Sequence, residues 1–287
     1  MPDKAPTLTN LVSRAGGELT PTERRIAKLV LSEPTLLAFG TVSELAERVG
    51  TSRPSIVRFA NKLGFDGYTQ LQELIRADVS RQLTRPRERI RKLDKSSLSR
   101  RQALDDALDS VFAVADGKGF LPLVRRIARA RHLWILSGET SRAGACALGS
   151  GLSMIRPAVQ LVNDHKIGQQ LGSADRHDVA VVIDFARYRK FVVDTTRILA
   201  ERGVKIVAIT DGPLSPLVEW ADAWCGISVP AIGAIDSSVS VVAMAEMLVA
   251  GVANELQEKA TGRVDRIENL WEIAGIYDQS RARKDSP

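Results

Sequence analysis

Cysteine, histidine and aromatic residues are scarce in this 287-residue chain, and so are uninterrupted apolar runs. The two cysteines, Cys146 and Cys225, lie in apolar surroundings without ligand-like spacing. That argues against a disulfide framework and predicts buried free thiols in a reducing cytoplasm. No His/Cys/Asp cluster has metal-ligand spacing, so no metal is expected. Charges or turn residues interrupt every apolar stretch before membrane-spanning length, and the opening MPDKAPTLTN lacks the apolar core of a secretory leader. HLWILSGETSRAG (132–144) lacks the G-x-G-x-x-G turn that lets backbone approach a pyrophosphate, which argues against a dinucleotide cofactor. A cytoplasmic protein without cofactor or membrane partner is the expectation.

What is present is an ordinary composition, 44% hydrophobic and 26% charged, in a length that suits two domains. The charge is unevenly placed. Residues 1–101 hold 19 Lys/Arg against 11 Asp/Glu, whereas residues 102–287 hold 21 against 23. A basic front on a near-neutral remainder points to a polyanionic partner for the front alone. Part of the excess lies in SRQLTRPRERIRKLDKSSLSRR (80–101), read as a solvated linker whose charge would also suit auxiliary phosphate contacts.

The most informative stretch is TVSELAERVGTSRPSIVRFANKLGF, residues 41–65. Val42, Leu45, Ala46 and Val49 recur at helical spacing, and Thr41 stands three residues before Glu44, as in a capping box. Gly50 supplies a turn, Ser52 is placed to cap a second helix through about Leu63, and Gly64 ends it with Phe65 folding back. On that helix Ile56, Phe59, Ala60 and Leu63 share one side; Pro54, Ser55, Arg58, Asn61 and Lys62 share the other. This is the outline of a DNA-reading helix-turn-helix, although an αα-hairpin in a small bundle has the same outline. Ser52, Arg53, Ser55, Arg58, Asn61 and Lys62 are the candidate DNA contacts. Arg58 is favoured for a base, since arginine pairs with guanine O6/N7; beside Phe59 it could instead brace the helix or hold a phosphate. Upstream, Thr20, Pro21 and Glu23 start a helix with Ile26, Leu29 and Val30 inward that stops near Pro34, and Leu36 and Leu37 pack beneath the next helix. Downstream, residues 68–79 resume helical spacing through Leu71, Leu74 and Ile75.

From residue 131 the texture changes. Apolar runs at 132–136, 158–162, 178–183, 204–210 and 223–229 alternate with helices at 143–155, 190–202, 215–221 and 237–258, behind amphipathic helices at 103–115 and 120–130. The fold class predicted is an all-α helix-turn-helix domain followed by an α/β doubly wound parallel five-stranded sheet. Its expected divisions are 1–80, a basic linker 81–102, a sheet domain 103–262, and a C-terminal helix and tail 263–287. Helix 237–258 is apolar nearly all round, so it is buried in the core or against a second subunit. Ile267, Leu270, Trp271 and Ile276 are expected to anchor the terminal helix, and the last ten residues to be disordered.

LTPTERRIAKLVLSEP followed by TVSELAERVGTSRPSIVRFANKLGFDGYTQLQ closely resembles the N-terminal domain of RpiR-type transcriptional regulators, over about residues 8–79. Residues 110–260 resemble the sugar isomerase (SIS) domain that such regulators carry, most clearly at Asp164, at AERGVKIVAITDGPLSPLVEWAD (200–222) and in the last apolar helix. The resemblance implies a repressor or activator of a double-stranded DNA operator whose affinity is set by a small anionic carbohydrate-derived effector, a phosphosugar or sugar acid. SIS domains usually hold phosphate in Ser/Thr-rich loops after the first and third strands. Here Ser137, Thr140 and Ser141 keep the first loop's hydroxyls, but the third loop reads DFARYRK (184–190). Arg187 and Arg189 there could clamp an anion bidentately, or make salt bridges or subunit contacts instead. Ser137, Thr140, Ser141, Asp164, Arg187 and Arg189 are the candidate effector contacts.

Catalysis is the rival reading, because SIS folds also serve isomerases and lyases. Glu139, Asp164, His165 and Glu246 are the acid–base candidates near strand ends or the final helix, and each is weighed as structural or as a ligand contact. No catalytic residue is assigned. A third reading is a ligand-free SIS dimeriser carrying the DNA reader. Pairing through the sheet domains, as a homodimer or homotetramer, would present two reader helices to a pseudo-palindromic operator.

Overall fold

A computed structural model of the chain describes residues 19–32, 34–83, 97–212 and 215–277. The expected disorder of the last ten residues and the centre of the 81–102 linker fall outside them.

Among the described residues, five helices build the first unit: α1 (Pro21–Ser32), α2 (Pro34–Phe39), α3 (Val42–Val49), α4 (Arg53–Lys62) and α5 (Tyr68–Leu83). Local chemistry fixes their ends. Thr20 and Glu23 exchange hydrogen bonds ahead of α1, 2.8 Å and 3.3 Å long, and Thr41 with Glu44 closes the same box ahead of α3. Gly50 ends α3 at φ 70°, a left-handed conformation that a side chain would disfavour. Gly64, at φ 91°, ends α4: its N–H donates to the Asn61 carbonyl and that of Phe65 to the Ala60 carbonyl, which is the Schellman pattern. Ile26, Val30, Leu37, Leu45, Ile56, Phe59, Leu71 and Ile75 fill the core of this unit. Polar side chains of α5 reach the carbonyls left open where α2 ends. Gln72 donates to the carbonyls of Leu37 and Gly40, at 3.0 and 2.7 Å, and Arg76 to that of Ala38 at 3.0 Å.

The second unit opens with α6 (Ser97–Ala115) and α7 (Phe120–Arg129). Helix thus enters the 81–102 stretch from both sides, through Leu83 and from Ser97. There follow β1 (Leu133–Ser137), α8 (Arg142–Ile155), β2 (Val159–Leu161), α9 (Ile167–Leu171), β3 (Val179–Ile183), α10 (Lys190–Glu201), β4 (Lys205–Thr210), β5 (Ala223–Gly226), α11 (Val239–Leu256) and α12 (Glu258–Ile273). Residues 215–221, predicted helical, form only a 3₁₀ turn at Val218–Trp220. The five strands are parallel in the order β2-β1-β3-β4-β5.

Alternate side chains of the strands feed two apolar layers. Leu133, Ile135, Val181, Ile183, Val207 and Ile209 pack with α7, α8 and α11, while Trp134, Leu136, Ala180, Val182, Ile206 and Ala208 pack with α10. Arg156 is buried at the end of α8 and donates to the carbonyls of Ile127, Ala130 and Pro157, so a cation fills the open C-terminus of α7.

Three expectations on burial are corrected. Cys146 is exposed, on the outward side of α8, whereas Cys225 is buried and its thiol is pushed up to about 12 by that burial. Helix α11 buries Val241, Met244, Ala245, Leu248 and Val252 along one stripe only; Val239 is 42% exposed. By length and composition α11 could cross a membrane, contrary to the expectation that no stretch would, but its buried stripe belongs to the domain core. Leu270 and Ile276, expected to anchor the terminal helix, are 63% and 61% exposed, because α12 leaves the body of the domain after Val264 packs against it.

Candidate nucleic-acid interface and effector site

Helix α4 rests on the core through Ile56, Phe59 and Ala60, all fully buried, and turns Ser52, Arg53, Arg58, Asn61 and Lys62 outward, with Ser55 half-buried at the edge. The proposed contacts therefore share one face, but they do not have equal freedom. Ser52 occupies the N-cap with extended backbone, yet its side chain does not cap: its hydroxyl meets that of Ser55 at 3.0 Å. Arg58 donates to the same Ser55 hydroxyl at 3.0 Å. Lys62 forms a 3.1 Å ion pair with Glu23, which ties α4 to α1. The Lys62 ammonium, together with the Thr20 backbone and hydroxyl, outweighs partial burial and holds the Glu23 carboxyl below the usual carboxylate range. Lys62 is thus a brace as much as a contact. Val57, absent from the sequence-based set, is exposed on the same side. Its signal was available: it lies one helical turn from both Arg53 and Asn61.

In the strand order 2-1-3-4-5 the sheet reverses direction between β1 and β3, and ligands of such sheets sit outside the carboxyl ends there. The loops after β1 and β3 hold Ser137, Glu139, Thr140, Ser141 and Asp184–Arg189. They are laced together. Ser141 is fully buried and donates to the Ile183 carbonyl at 2.7 Å and to that of Gly138 at 3.2 Å. It is a strut between β1 and β3, so its expected role as an effector contact is withdrawn. Arg189 reaches across to Glu139 at 3.0 Å, the salt bridge that was its alternative reading. Arg187 is exposed, at φ 73°, and its side chain makes no hydrogen bond or ion pair among the described residues. Ser137 and Thr140 are half-buried at the same mouth. Asp164 lies exposed on a 3₁₀ turn after β2 and accepts from the neighbouring His165 backbone.

Sequence reasoning assigned nothing to the two carboxylates beneath this mouth. Asp184 accepts from the backbone N–H of Phe185 at 3.0 Å and of Arg189 at 2.8 Å, at the start of α10. A methyl placed on Gly138 would come within 2.1 Å of it, so the two loops meet without intervening space. Burial pushes the Asp184 carboxyl up to about 6; the two N–H bonds oppose that, and the neighbouring Asp211 charge reinforces it. Asp211 is likewise raised by burial while accepting from the Tyr188 hydroxyl, from Thr210 and from the Ala186 N–H. The N–H groups of Phe185, Ala186 and Arg189 and the Tyr188 hydroxyl are therefore already engaged by side-chain carboxylates, which leaves the Arg187 side chain as an open donor of the loop. The sequence cue for Asp184 was an acid at the strand end five residues before Arg189, the N-cap of α10. A concavity of about 540 Å³ lies elsewhere, between α8, α11 and α12, lined by apolar Ile155, Ala253 and Val264 and by polar Asn254, Gln257, Thr261 and Asp265, away from the strand ends.

Residues 7–82 match the model of the rpiR-family helix-turn-helix domain, and residues 127–251 match that of the SIS domain. The chain carries an rpiR-family helix-turn-helix domain followed by a SIS domain. It is 25% identical over 283 residues to an uncharacterized HTH-type transcriptional regulator of Caldanaerobacter subterraneus, covering 93% of this chain and 96% of that protein. The HTH-type transcriptional regulator YbbH of Bacillus subtilis is 21% identical over 87% of this chain and 91% of its own length. Among solved structures, the Vibrio vulnificus NanR protein complexed with ManNAc-6P superposes with a TM-score of 0.56 at 17% identity, covering 93% of this chain and 98% of that one. The sugar isomerase domain of an RpiR transcription factor from Sphaerobacter thermophilus superposes with a TM-score of 0.57 at 22% identity, over 61% of this chain and 99% of that one. The chain thus joins a DNA-binding helical domain to a parallel-sheet domain in one transcriptional regulator.

Proposed function

We propose that this regulator docks α4 in the major groove of a specific operator and changes that affinity when a small carbohydrate-derived effector occupies the mouth formed by the β1 and β3 loops. One observation carries the DNA half: α4 is capped at its C-terminus, seated on three fully buried side chains, and turns Arg53, Arg58 and Asn61 to solvent. Arg58 is poised on Ser55, which fixes its direction and leaves its remaining donors for guanine O6/N7. Arg58→Ala is expected to weaken binding to the preferred duplex by about 1–3 kcal/mol while leaving the melting temperature unchanged. Fluorescence anisotropy reads it, and wild-type affinity would remove Arg58 from the interface.

At the mouth, Ser137, Thr140 and Asp164 are the polar contacts, and Arg187 supplies the free guanidinium for an anionic group. Arg189 is secondary, being engaged by Glu139. The effector acts by preferring one arrangement of two subunits, and so one spacing of the two α4 helices. Pairing as a homodimer is supported by the apolar outer side of α11 and by exposed Leu270 and Ile273 on α12. No reaction is assigned to the mouth: Glu139 is committed to Arg189, Asp164 to the His165 backbone, and Glu246 faces solvent on α11. We place the regulator in the cytoplasm, where its duplex is and where an exposed thiol at Cys146 stays reduced.

A further inference from the structure

Val57 is a large apolar side chain exposed on the helical domain, with 37% of its surface accessible. Ile56, Phe59 and Ala60 of α4 are fully buried, and the helix has no use for an outward isopropyl group: β-branched side chains are mildly unfavourable in helices and gain nothing from water. Its position is what gives it meaning. The i, i+4 row along the outer side of α4 runs Arg53, Val57, Asn61, with Arg58 adjacent, so the valine sits in the middle of the surface that faces the duplex. Apart from the exposed Pro54 its outward neighbours are polar, which argues against an extended apolar protein contact. The major groove of a duplex, however, presents one apolar feature of matching size, the 5-methyl group of thymine.

Building on the assignment of α4 as the DNA-reading helix, we infer that Val57 is a specificity-determining residue that selects a thymine in each half-site by packing against its 5-methyl group. Removing one methyl from an apolar contact of this kind costs about 0.8 kcal/mol, a change of about fourfold in affinity.

The test uses the full-length chain. Its preferred duplex is first selected from a random pool, and affinity is then measured on duplexes in which each thymine in turn is replaced by uracil, which deletes the methyl group and nothing else. One such replacement per half-site is expected to weaken wild-type binding about fourfold. Val57→Ala should lose a similar factor on the parent duplex and be indifferent to that same replacement. Val57→Thr, which keeps one methyl group and the branched shape, should keep most of the sensitivity. If no uracil replacement affects the wild type, or if the losses add in Val57→Ala, the inference is overturned while the assignment of α4 stands. If no duplex is enriched from the pool, the assignment of α4 falls and the inference with it. Because Val57 lies outside the buried core cluster, circular dichroism of the variants should match the wild type, which ties any loss to the groove.

Discussion

Asp184 shows how one residue can carry both a structural duty and a signature in solution. Its carboxyl is 3% exposed, it holds the first turn of α10 through the Arg189 N–H, and burial has raised it to about 6. A carboxyl that is harder to ionise in the folded chain than in the unfolded one favours folding while it stays protonated. The stabilising contribution is therefore present on the acid side and is lost as pH climbs from the ordinary carboxylate range through about 6. Melting temperatures of wild type and Asp184→Asn, measured between pH 5 and 8, should show the wild type falling relative to the variant as pH rises, by on the order of 1–3 kcal/mol in stability. Asp211 shifts in the same direction and its charge repels that of Asp184, so the difference between the two proteins includes that repulsion and keeps the same sign. A gap that widened in favour of the wild type with rising pH would contradict the assignment. Ser141 gives a second residue-scale expectation. Ser141→Ala removes one of the two donors to the Ile183 carbonyl, the Gly138 N–H remaining, and should cost about 0.5–1.5 kcal/mol in urea unfolding, with the effector response at 25 °C intact.

At the scale of elements, the closest approach is that of α8 and α11. A methyl group on Gly144 would stand 2.4 Å from the Val241 side chain and 2.9 Å from its backbone, and backbone cannot swing aside. Gly144→Ala should push the two helices apart and cost about 1–3 kcal/mol, the usual penalty of an overfilled core, seen as a lower urea midpoint for the sheet domain. Unchanged stability would mean that the helices slide without loss. This contact was not legible in the chain, because a glycine inside a helical pattern does not say which element presses on it. What was legible is whatever is settled within a few residues: both capping boxes, the left-handed glycines at 50 and 64, the alternation of strand and helix, and the buried row Ile56, Phe59, Ala60. What was not legible depends on distant partners. An apolar helix such as α11 looks the same whether its outer side meets core or solvent, and the apolar residues of α12 resemble anchors although Leu270 and Ile273 face outward. The candidate mouth divided in the same way. Its loops were placed by the ends of the strands, whereas the strut at Ser141, the Arg189–Glu139 bridge and the buried acids needed the third dimension.

For the whole molecule, the distribution of charge decides how DNA is approached. Residues 80–101 hold nine Lys/Arg against two Asp/Glu, so nearly all of the positive excess of the first 101 residues lies in the connector and little of it in the helical domain that reads. Reading and attraction are then separate tasks. On the proposed reading, base contacts from α4 would set which duplex is preferred, while the basic charge of residues 80–101 would raise affinity for any duplex by releasing counterions. Replacing Arg87, Arg89, Arg91 and Lys92 by glutamine should leave the preferred sequence and its ratio over random duplex unchanged. It should also flatten the plot of log affinity against log salt by up to about 0.9 for each phosphate contact removed. Arg58→Ala should do the reverse in kind, eroding the preference with little effect on the slope. Anisotropy titrations at several salt concentrations, on preferred and scrambled duplexes, distinguish the two. If the connector variant kept the full slope, the counterions would be released by the helical domain itself, and its exposed Arg24, Arg25, Lys28 and Arg53 would have to make the phosphate contacts.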